Sequence, residues 1–463
     1  MNSRMEWNKL MTDKRLKAET YENLDFDARN EFQRDTDRIV FSSSFRRLQD
    51  KTQVFPLPIN DFVHTRLTHS LEVASVGRSL GKLVGSFIVN KGETAGTSLT
   101  SDDFGNVVSA ACYSHDIGNP PFGHSGEKAI GTYFTSEKGK EIIKSLSLSQ
   151  KFDLEMFEGN AAGFRILTND HPSMIEGELR LTYATLGAFS KYPTSSVKPK
   201  YNELGISVSK RKSHSKFGYF QSESAIMEEV ANECGLIQLS ASDSETKSWC
   251  RHPLTFLMEA ADTICYYIID LEDGHKIKII STEEAEELLF AIVNESPDTR
   301  CDKNDWRSIS HPDERIGALR AKAINTLAYE SYSTFKENYE AMMMGTFDKE
   351  IPDIIHSNKH LEKIKEKSIE HLYNHLNVVE VELAGYKVLG GLVDIFLGAV
   401  LNPKQIPNNK LLKILPKQFQ IDNLAEEDIY LKAMKVCDYV SRMTDSHAID
   451  LYRKLMGIEL PNY

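Results

Sequence analysis

Apolar residues recur at helical spacing along most of the chain, and polar stretches rich in proline or glycine separate these runs. Val108, Ala111, Cys112 and His115 lie at i, i+3, i+4 and i+7, which predicts an amphipathic helix that ends at His115. The same periodicity predicts a helix that opens at 157 and further helices over 36–53, 66–84, 126–145, 254–273, 282–294, 313–342, 358–396 and 425–456. Because strand-like alternation is scarce, the pattern predicts an all-α fold.

Stretches without this periodicity are predicted to be surface segments and loops. Residues 1–30 are mostly polar, and prolines interrupt 52–61. A polar stretch rich in Gly, Ser, Thr and Asp covers 90–106. The segment 191–220 contains prolines and a cluster of basic residues, which indicates a long loop with room for a small β-hairpin near 201–220.

Charge and cysteine usage narrow the functional classes. The 463 residues carry a net charge of −12, so a polyanion is expected to bind only at a local basic site. We find no purely apolar run long enough to span a membrane and no signal peptide, so we expect no membrane association. The cysteines lie far apart without a C-x-x-C pair, which is typical of a reducing cytoplasm rather than of a disulfide scaffold or a structural zinc site.

The stretch from His115 to Glu127 concentrates side chains that can do chemistry. It contains the His115-Asp116 doublet, then a proline pair, then His124 and Glu127. The prolines end the preceding helix and stiffen the loop that follows. A His-Asp doublet at a helix end indicates metal ligands, although a core histidine beside a capping Asp is the alternative explanation.

A metal site needs ligands that converge from several elements. His69 lies on the apolar stripe of the helix over 66–84, and Asp262 lies among apolar residues of the helix over 254–273. Each alone is more simply explained as a hydrogen-bonded core residue, but a buried carboxylate without a partner is costly and a metal ligand has one. Together the candidates form a set of nitrogen and oxygen ligands: His69, His115, Asp116 and Asp262. Such a set suits Mg²⁺, Mn²⁺ or Fe²⁺ better than zinc.

The spacing of His124 and Glu127 suggests a second function for the same stretch. The two residues are one helical turn apart, so the carboxylate can orient the imidazole for general acid–base catalysis. A loop histidine beside a capping glutamate is the alternative.

Three further residues could lie near the predicted metal, although a core tyrosine and a solvated helix end are the alternative explanations for Tyr266 and Asp270. Tyr266 and Asp270 follow Asp262 at i+4 and i+8, so one helix face presents a ligand, an aromatic ring and a second carboxylate. Arg66 lies three residues before His69 and can reach a phosphate near the metal.

Several motifs lie in order along the chain, at 45–55, 64–73, 115–127, 158–161 and 261–273. Together they resemble the bacterial deoxyguanosine-triphosphate triphosphohydrolase (dGTPase)-like family of the HD-domain superfamily. The similarity resumes at 381–386 and 438–445. The resemblance implies an all-α catalytic core over 62–275 and a C-terminal helical region over 276–463, within a single unit of residues 1–463. It also implies metal-dependent hydrolysis of a deoxynucleoside triphosphate (dNTP), most simply dGTP, at the α-phosphorus, which yields deoxynucleoside and triphosphate.

Individual roles follow from the resemblance by matching position. It implies His69, His115, Asp116 and Asp262 as ligands of Mg²⁺ or Mn²⁺, and His124 with Glu127 as the catalytic pair. It implies substrate contacts at Gln53, Tyr266 and Asp270 for the deoxyribose, at Arg66, Asn160 and Lys216 for the phosphates, and at Glu382 for the base. Thr263 departs from the family, in which many members have a second Asp at that position.

The resemblance also implies a homo-oligomer, a tetramer or a hexamer, with single-stranded DNA or a dNTP as candidate effector. Two other functions compete with a dNTP triphosphohydrolase. One is an HD phosphohydrolase of another nucleotide class, and the other is a regulator that binds nucleotide or single-stranded DNA without catalysis. Release of free triphosphate is expected only from the first.

Overall fold

The computed structural model describes residues 4–16, 28–55, 63–169, 179–200, 211–241, 244–295, 305–420, 425 and 428–459. Helices dominate these residues, and no sheet forms within them; extended segments meet only at isolated bridges such as Thr52 with Thr65. The predicted all-α fold is therefore confirmed.

The first half of the chain contains helices at Trp7–Leu10 (α1), Glu31–Phe41 (α2), Ser43–Arg46 (α3), Arg66–Asn90 (α4), Ser101–Ser114 (α5), Gly123–Thr135 (α6), Glu137–Ile143 (α7), Leu148–Glu155 (α8), Gly159–Thr168 (α9), Tyr183–Phe189 (α10) and Ser224–Cys234 (α11). The second half contains Thr255–Lys276 (α12), Thr282–Glu295 (α13), Pro312–Glu337 (α14), Tyr339–Met343 (α15), Asn358–Lys367 (α16), Leu376–Leu401 (α17), Asn408–Leu411 (α18), Ile429–Ser441 (α19) and Asp445–Leu455 (α20). Short 3₁₀ turns occur at Arg47–Asp50, Lys212–His214, Gln221–Glu223, Asp305–Ser308 and Lys417–Phe419, and Ser368–Tyr373 is a π-helix.

Helices α4, α5 and α12 pack against one another and form the centre of one hydrophobic core. A capping box starts α4, where the hydroxyl of Thr65 accepts from the N–H of Thr68, and at the start of α5 the carboxylate of Asp103 accepts from the N–H of Thr100. Small residues allow close packing at this contact; a Cβ on Gly81 would lie 2.7 Å from the carbonyl oxygen of Phe104. The helices that carry the predicted metal ligands are thus held together by their own core.

A second hydrophobic core joins α6 to the C-terminal helices α17 and α19. Phe122, Phe134, Phe396 and Tyr439 are buried in this cluster. Leu376–Leu401 is long and apolar enough to cross a membrane by length and composition alone, but half of its most apolar window is buried inside the protein. Burial against α6 and α19 accounts for the apolar sequence of α17.

Several predictions from the sequence were wrong. Residues 1–30 are not uniformly at the surface, because Trp7 is 1% exposed and its indole N–H donates to the Tyr339 hydroxyl at 2.8 Å. The helix predicted over 36–53 ends early at Phe41, the last residue of α2, which is 77% exposed. The loop predicted over 90–106 already contains the start of α5.

The hairpin predicted near 201–220 lies partly outside the described residues, which exclude 201–210. The described remainder contains a 3₁₀ turn at Lys212–His214 and a single parallel bridge between Ser195 and Tyr219.

Candidate functional site

His69, His115 and Asp262 bring their ligand atoms within 4.8 Å of one another, a spacing that can hold a metal ion. Nε2 of His69 lies 3.2 Å from Oδ1 of Asp262, and Nε2 of His115 lies 3.4 Å from the same oxygen. Each residue comes from a different helix or helix end: α4, the C-cap of α5, and α12. Three of the four predicted ligands therefore meet at one point. We call this group of side chains, His69, His115 and Asp262, the metal cluster.

The ring of His115 is oriented for metal binding. Its Nδ1–H donates to the backbone carbonyl of Cys112 at 2.7 Å, which fixes the tautomer and leaves Nε2 as an acceptor. That Nε2 is buried and has no hydrogen-bond partner. Burial acts to lower the pKa of His115, but the carboxylates of Asp116 and Asp262 raise it, so the local field favours a cation. An orphaned nitrogen in a field that attracts cations fits a divalent metal.

Asp116, the fourth predicted ligand, lies at the edge of this cluster. Its Oδ2 is 3.6 Å from Nε2 of His115 and accepts a hydrogen bond from Nη1 of Arg66 at 2.6 Å. Its Oδ1 accepts from the side-chain amide of Asn119 at 2.6 Å. Although burial acts to raise it, Arg66 and the two histidines hold the pKa of Asp116 below its ordinary value. Asp116 is therefore an ionised carboxylate that links the metal cluster to Arg66.

Asp262 has a partner that the sequence did not indicate. Nζ of Lys191, a residue that follows α10, donates to Oδ2 of Asp262 at 2.6 Å. Burial opposes ionisation of Asp262, but Lys191 and His115 lower its pKa well below the ordinary value. One oxygen of Asp262 thus faces the histidines while the other is neutralised by a lysine.

His124 and Glu127 both line a cavity of about 450 Å³ beside the metal cluster, but they do not share a hydrogen bond. Nε2 of His124 instead lies 3.4 Å from Nζ of Lys216. Oε1 of Glu127 accepts from the backbone N–H of Gly159 at 2.9 Å, at the start of α9. The predicted orientation of His124 by Glu127 is therefore wrong in this conformation, because α9 and Lys216 take up both side chains.

The two groups have pKa values that are displaced in opposite directions. Desolvation, Lys216 and Arg66 lower the pKa of His124 to about 4, so the imidazole is neutral at pH 7. Burial and the nearby Glu158 raise the pKa of Glu127 to about 7. Opposed shifts within one cleft are characteristic of groups that handle protons.

Basic and amide side chains surround the same cavity. Lys216 contacts Oε1 of Glu158 at 3.1 Å, and the side-chain amide of Asn160 donates to the same oxygen at 2.7 Å. Arg66 and Lys191 line the cavity closer to the metal cluster. The predicted phosphate contacts at Arg66, Asn160 and Lys216 therefore all line this cavity, and we call its basic residues Arg66, Lys191 and Lys216 the cationic wall.

Two of the predicted sugar contacts line the cavity, and the third is buried behind them. Gln53 and Tyr266 line the cavity, and Oε1 of Gln53 is buried without a hydrogen-bond partner. Tyr266 stacks on Tyr373, with ring centroids 5.8 Å apart. Asp270 is buried behind them and accepts from the hydroxyl of Tyr373 at 2.8 Å. The side chain of Asp270 therefore acts on the pocket through Tyr373, a residue that sequence reasoning missed.

Glu382 lies in a neighbouring cavity of about 140 Å³ rather than in the cavity of the metal cluster. Gln53, Arg66, His124 and Tyr266 line both cavities, which makes the smaller one a continuation of the larger. The predicted base contact is thus separated from the metal cluster by the residues predicted to hold the sugar and the phosphates.

Comparisons with known proteins agree with this architecture. A model of the HD domain matches residues 66–181, which contain three of the predicted ligands. A model of the phosphohydrolase-associated domain matches residues 356–454, which include α17, α19 and α20. The HD domain implies binding of a divalent metal ion, in agreement with the geometry of the metal cluster.

Relatives match the chain over nearly its full length. A deoxyguanosinetriphosphate triphosphohydrolase-like protein of Synechocystis sp. is 43% identical, with 98% of this chain and 100% of the relative covered. One of the same name from Pseudomonas aeruginosa (strain LESB58) is 37% identical, covering 99% and 100%. A deoxyguanosinetriphosphate triphosphohydrolase of Serratia proteamaculans is 31% identical, covering 94% and 95%. The chain is therefore a hydrolase that belongs to the deoxyguanosinetriphosphate triphosphohydrolase-like family of HD-domain proteins.

Proposed function

We propose that the protein hydrolyses a deoxynucleoside triphosphate, with dGTP as the preferred substrate, to deoxynucleoside and triphosphate. The single observation that carries this proposal is the order of groups along one cleft. The metal cluster and cationic wall adjoin the Gln53–Tyr266 pocket, and Glu382 lies beyond it. A nucleotide with its phosphates at the metal, its sugar against Tyr266 and its base near Glu382 matches this order.

The cationic wall suits a highly charged substrate. Arg66 and Lys216 offset the charge of the triphosphate, which the net charge of −12 otherwise repels. A divalent ion, Mg²⁺ or Mn²⁺, bound by His69, His115, Asp116 and Asp262 would neutralise charge at the α-phosphate.

We assign the proton transfers to His124 and Glu127. Neutral His124 can accept a proton at Nε2 from the attacking water as the water oxygen bonds to the α-phosphorus. The bond from phosphorus to the 5′-oxygen breaks, and that oxygen takes a proton from the carboxyl group of Glu127 to become the hydroxyl of the deoxynucleoside, after which Glu127 regains the proton that His124 accepted. Glu127, with a pKa of about 7, can exchange protons with the site near neutral pH.

The sugar pocket favours a 2′-deoxyribose in this proposal. Tyr266 is backed by the ring of Tyr373, whose hydroxyl is held by Asp270, so the Tyr266 ring cannot easily withdraw. A ring fixed against C2′ leaves no room for a 2′-hydroxyl. The buried Oε1 of Gln53 offers an acceptor for a sugar hydroxyl.

Product analysis tests the proposal directly. The purified protein is incubated with Mn²⁺ or Mg²⁺ and each dNTP, separately and mixed, and the products are separated by anion-exchange chromatography. Free triphosphate together with deoxynucleoside is the expected result. Pyrophosphate, orthophosphate or no product would refute it, and would favour another HD phosphohydrolase or a regulator that only binds nucleotide.

We further propose a cytoplasmic homo-oligomer, a tetramer or a hexamer. Leu376 and Leu383 on α17 are 66% and 63% exposed, which leaves apolar surface for a second copy to cover. Light scattering coupled to size exclusion measures the state, and its repetition with single-stranded DNA or a dNTP tests each as an effector.

A further inference from the structure

One carboxylate from the C-terminal region contacts two separate loops of the cleft. Asp445, the first residue of α20, is 1% exposed. Its Oδ1 accepts from the backbone N–H of Phe122 at 3.1 Å. Its Oδ2 accepts from the backbone N–H and the hydroxyl of Thr52 at 2.9 and 2.5 Å. Phe122 and Thr52 are 70 residues apart in the chain, and the same side chain holds both.

Both loops end directly at predicted site residues. Phe122 precedes Gly123 and His124, and Thr52 precedes Gln53. Phe122 has a left-handed backbone with φ of 62°, a conformation that a bulky side chain rarely adopts without support. A hydrogen bond to its N–H is therefore a direct constraint on the turn that aims His124 into the cleft.

Lys51 adds a second link between the same elements. It is 3% exposed, and its Nζ donates to the backbone carbonyls of Asn119 at 2.5 Å and of Ser441 at 2.9 Å. Asn119 in turn donates to Asp116. The carbonyl of Lys51 accepts from the N–H of Arg66 at 3.1 Å, so the Lys51–Thr52 segment is also fixed to the start of α4.

We propose that Asp445 is a positioning residue that sets the placement of His124 and Gln53 together, and through them both turnover and sugar selection. The inference rests on the proposed function for these two readouts. A carboxylate suits this role because its two oxygens accept from both loops at once, whereas an amide or an alkyl group cannot. Helix α20 thereby acts on the chemistry although none of its residues lines either cavity.

The first test is Asp445→Asn, which keeps the size of the side chain but leaves only one acceptor oxygen. One loop must lose its hydrogen bond, so either kcat or the ratio of kcat/KM for dGTP to that for GTP should fall by roughly 10–100-fold, the scale of a small misplacement. Mn²⁺ affinity, measured by calorimetry, should stay within about threefold of the parent, because no ligand is touched. Asp450→Asn, an exposed position on the same helix, is the matched control.

Thr52→Val isolates one arm of the contact and does not depend on the survival of an Asp445 variant. It removes the hydroxyl donor but keeps the backbone N–H, so it should lower the dGTP-to-GTP ratio more than it lowers kcat for dGTP. Thr52→Ser restores a hydroxyl and should restore the ratio.

Hydrogen–deuterium exchange provides a readout that does not need activity. In Asp445→Asn, peptides that cover 48–54 or 119–125 should exchange faster, while those of α4 and α12 should not change. Unchanged exchange and kinetics would overturn the inference. The inference would also be overturned if exchange became faster throughout the chain and activity fell only in proportion to the fraction of unfolded protein. A parent protein that releases no triphosphate would refute the proposed function, and the exchange experiment would still test the contact itself.

Discussion

The backbone carbonyl of Cys112 accepts a hydrogen bond from Nδ1 of His115 at 2.7 Å, and this contact turns the opposite ring nitrogen toward Asp262. The helix that ends at this predicted ligand thus also fixes its tautomer. A histidine held in this way loses little freedom when it binds a metal, because its ring is already oriented.

His115→Ala should abolish metal binding and hydrolysis while the helical fold remains. Removal of outer partners of metal ligands already costs roughly 10–100-fold in affinity, so loss of a ligand should cost more than about 100-fold. Mn²⁺ titration by calorimetry and circular dichroism measure the two effects. In the parent, EDTA should lower the melting temperature and excess Mn²⁺ should restore it, whereas the variant should respond to neither. Full activity of metal-stripped His115→Ala/Asp116→Ala would contradict the assignment.

His124→Ala should retain metal affinity and nucleotide binding but lose turnover by roughly 10²–10⁴-fold, the usual contribution of general acid–base catalysis. The physical reason is that His124 lies in the cleft beside Lys216 and outside the group of ligand atoms. Calorimetric titration beside the measured kcat separates the cases. Lost metal affinity would make His124 a ligand, and near-normal turnover would make it structural.

Lys216→Met should shift the acidic limb of the pH dependence of kcat/KM toward higher pH. Lys216 is one of the cations that lower the pKa of His124 to about 4, after desolvation, so its removal should raise that pKa. A base must be neutral to accept a proton, and a higher pKa means that the neutral form is lost at a higher pH as the solution is acidified. Initial rates from pH 4 to 8 measure the limb. Lys212→Met, a change at a more exposed lysine of the same cavity wall, is the control, and an unmoved limb in Lys216→Met would argue against His124 as the base.

Tyr266→Ala should relax sugar selection more than it slows dGTP hydrolysis. The ratio of kcat/KM for dGTP to that for GTP should fall roughly tenfold or more, because loss of the ring opens space at C2′. Tyr266→Phe keeps the ring and should keep the ratio. If Tyr266→Ala rejects GTP as strongly as the parent and only loses dGTP turnover, Tyr266 is a core residue and does not select the sugar.

The sequence predicted those parts of the site that lie on regular helices. Helical spacing and the ordered motifs identified His69, His115 and Asp262, whose atoms meet, and the family resemblance is confirmed by full-length relatives. The roles of the individual site residues stay predictions. The resemblance supplied Gln53 and Glu382, which no periodicity would have singled out.

The parts that the sequence did not predict depend on contacts between distant segments. Lys191 meets Asp262 across 71 positions, and Tyr373 meets Asp270 across 103. Neither pair leaves a local pattern. The expected bond between His124 and Glu127 was inferred from spacing alone, yet the N–H of Gly159 at the start of α9 competes for the carboxylate. Trp7 was misjudged because its neighbours in sequence are polar while its partner, Tyr339, lies far along the chain.

The interior contains two hydrophobic cores, and each core supports a different part of the cleft. Three of the predicted metal ligands lie on or at the end of helices of the first core, α4, α5 and α12, whereas Phe122 and α6, which follows it, belong to the core of α17 and α19. Proteins open in cooperative units that often follow such clusters. A transient opening of the C-terminal unit would therefore displace His124 while the helices that carry the predicted metal ligands stayed packed against one another.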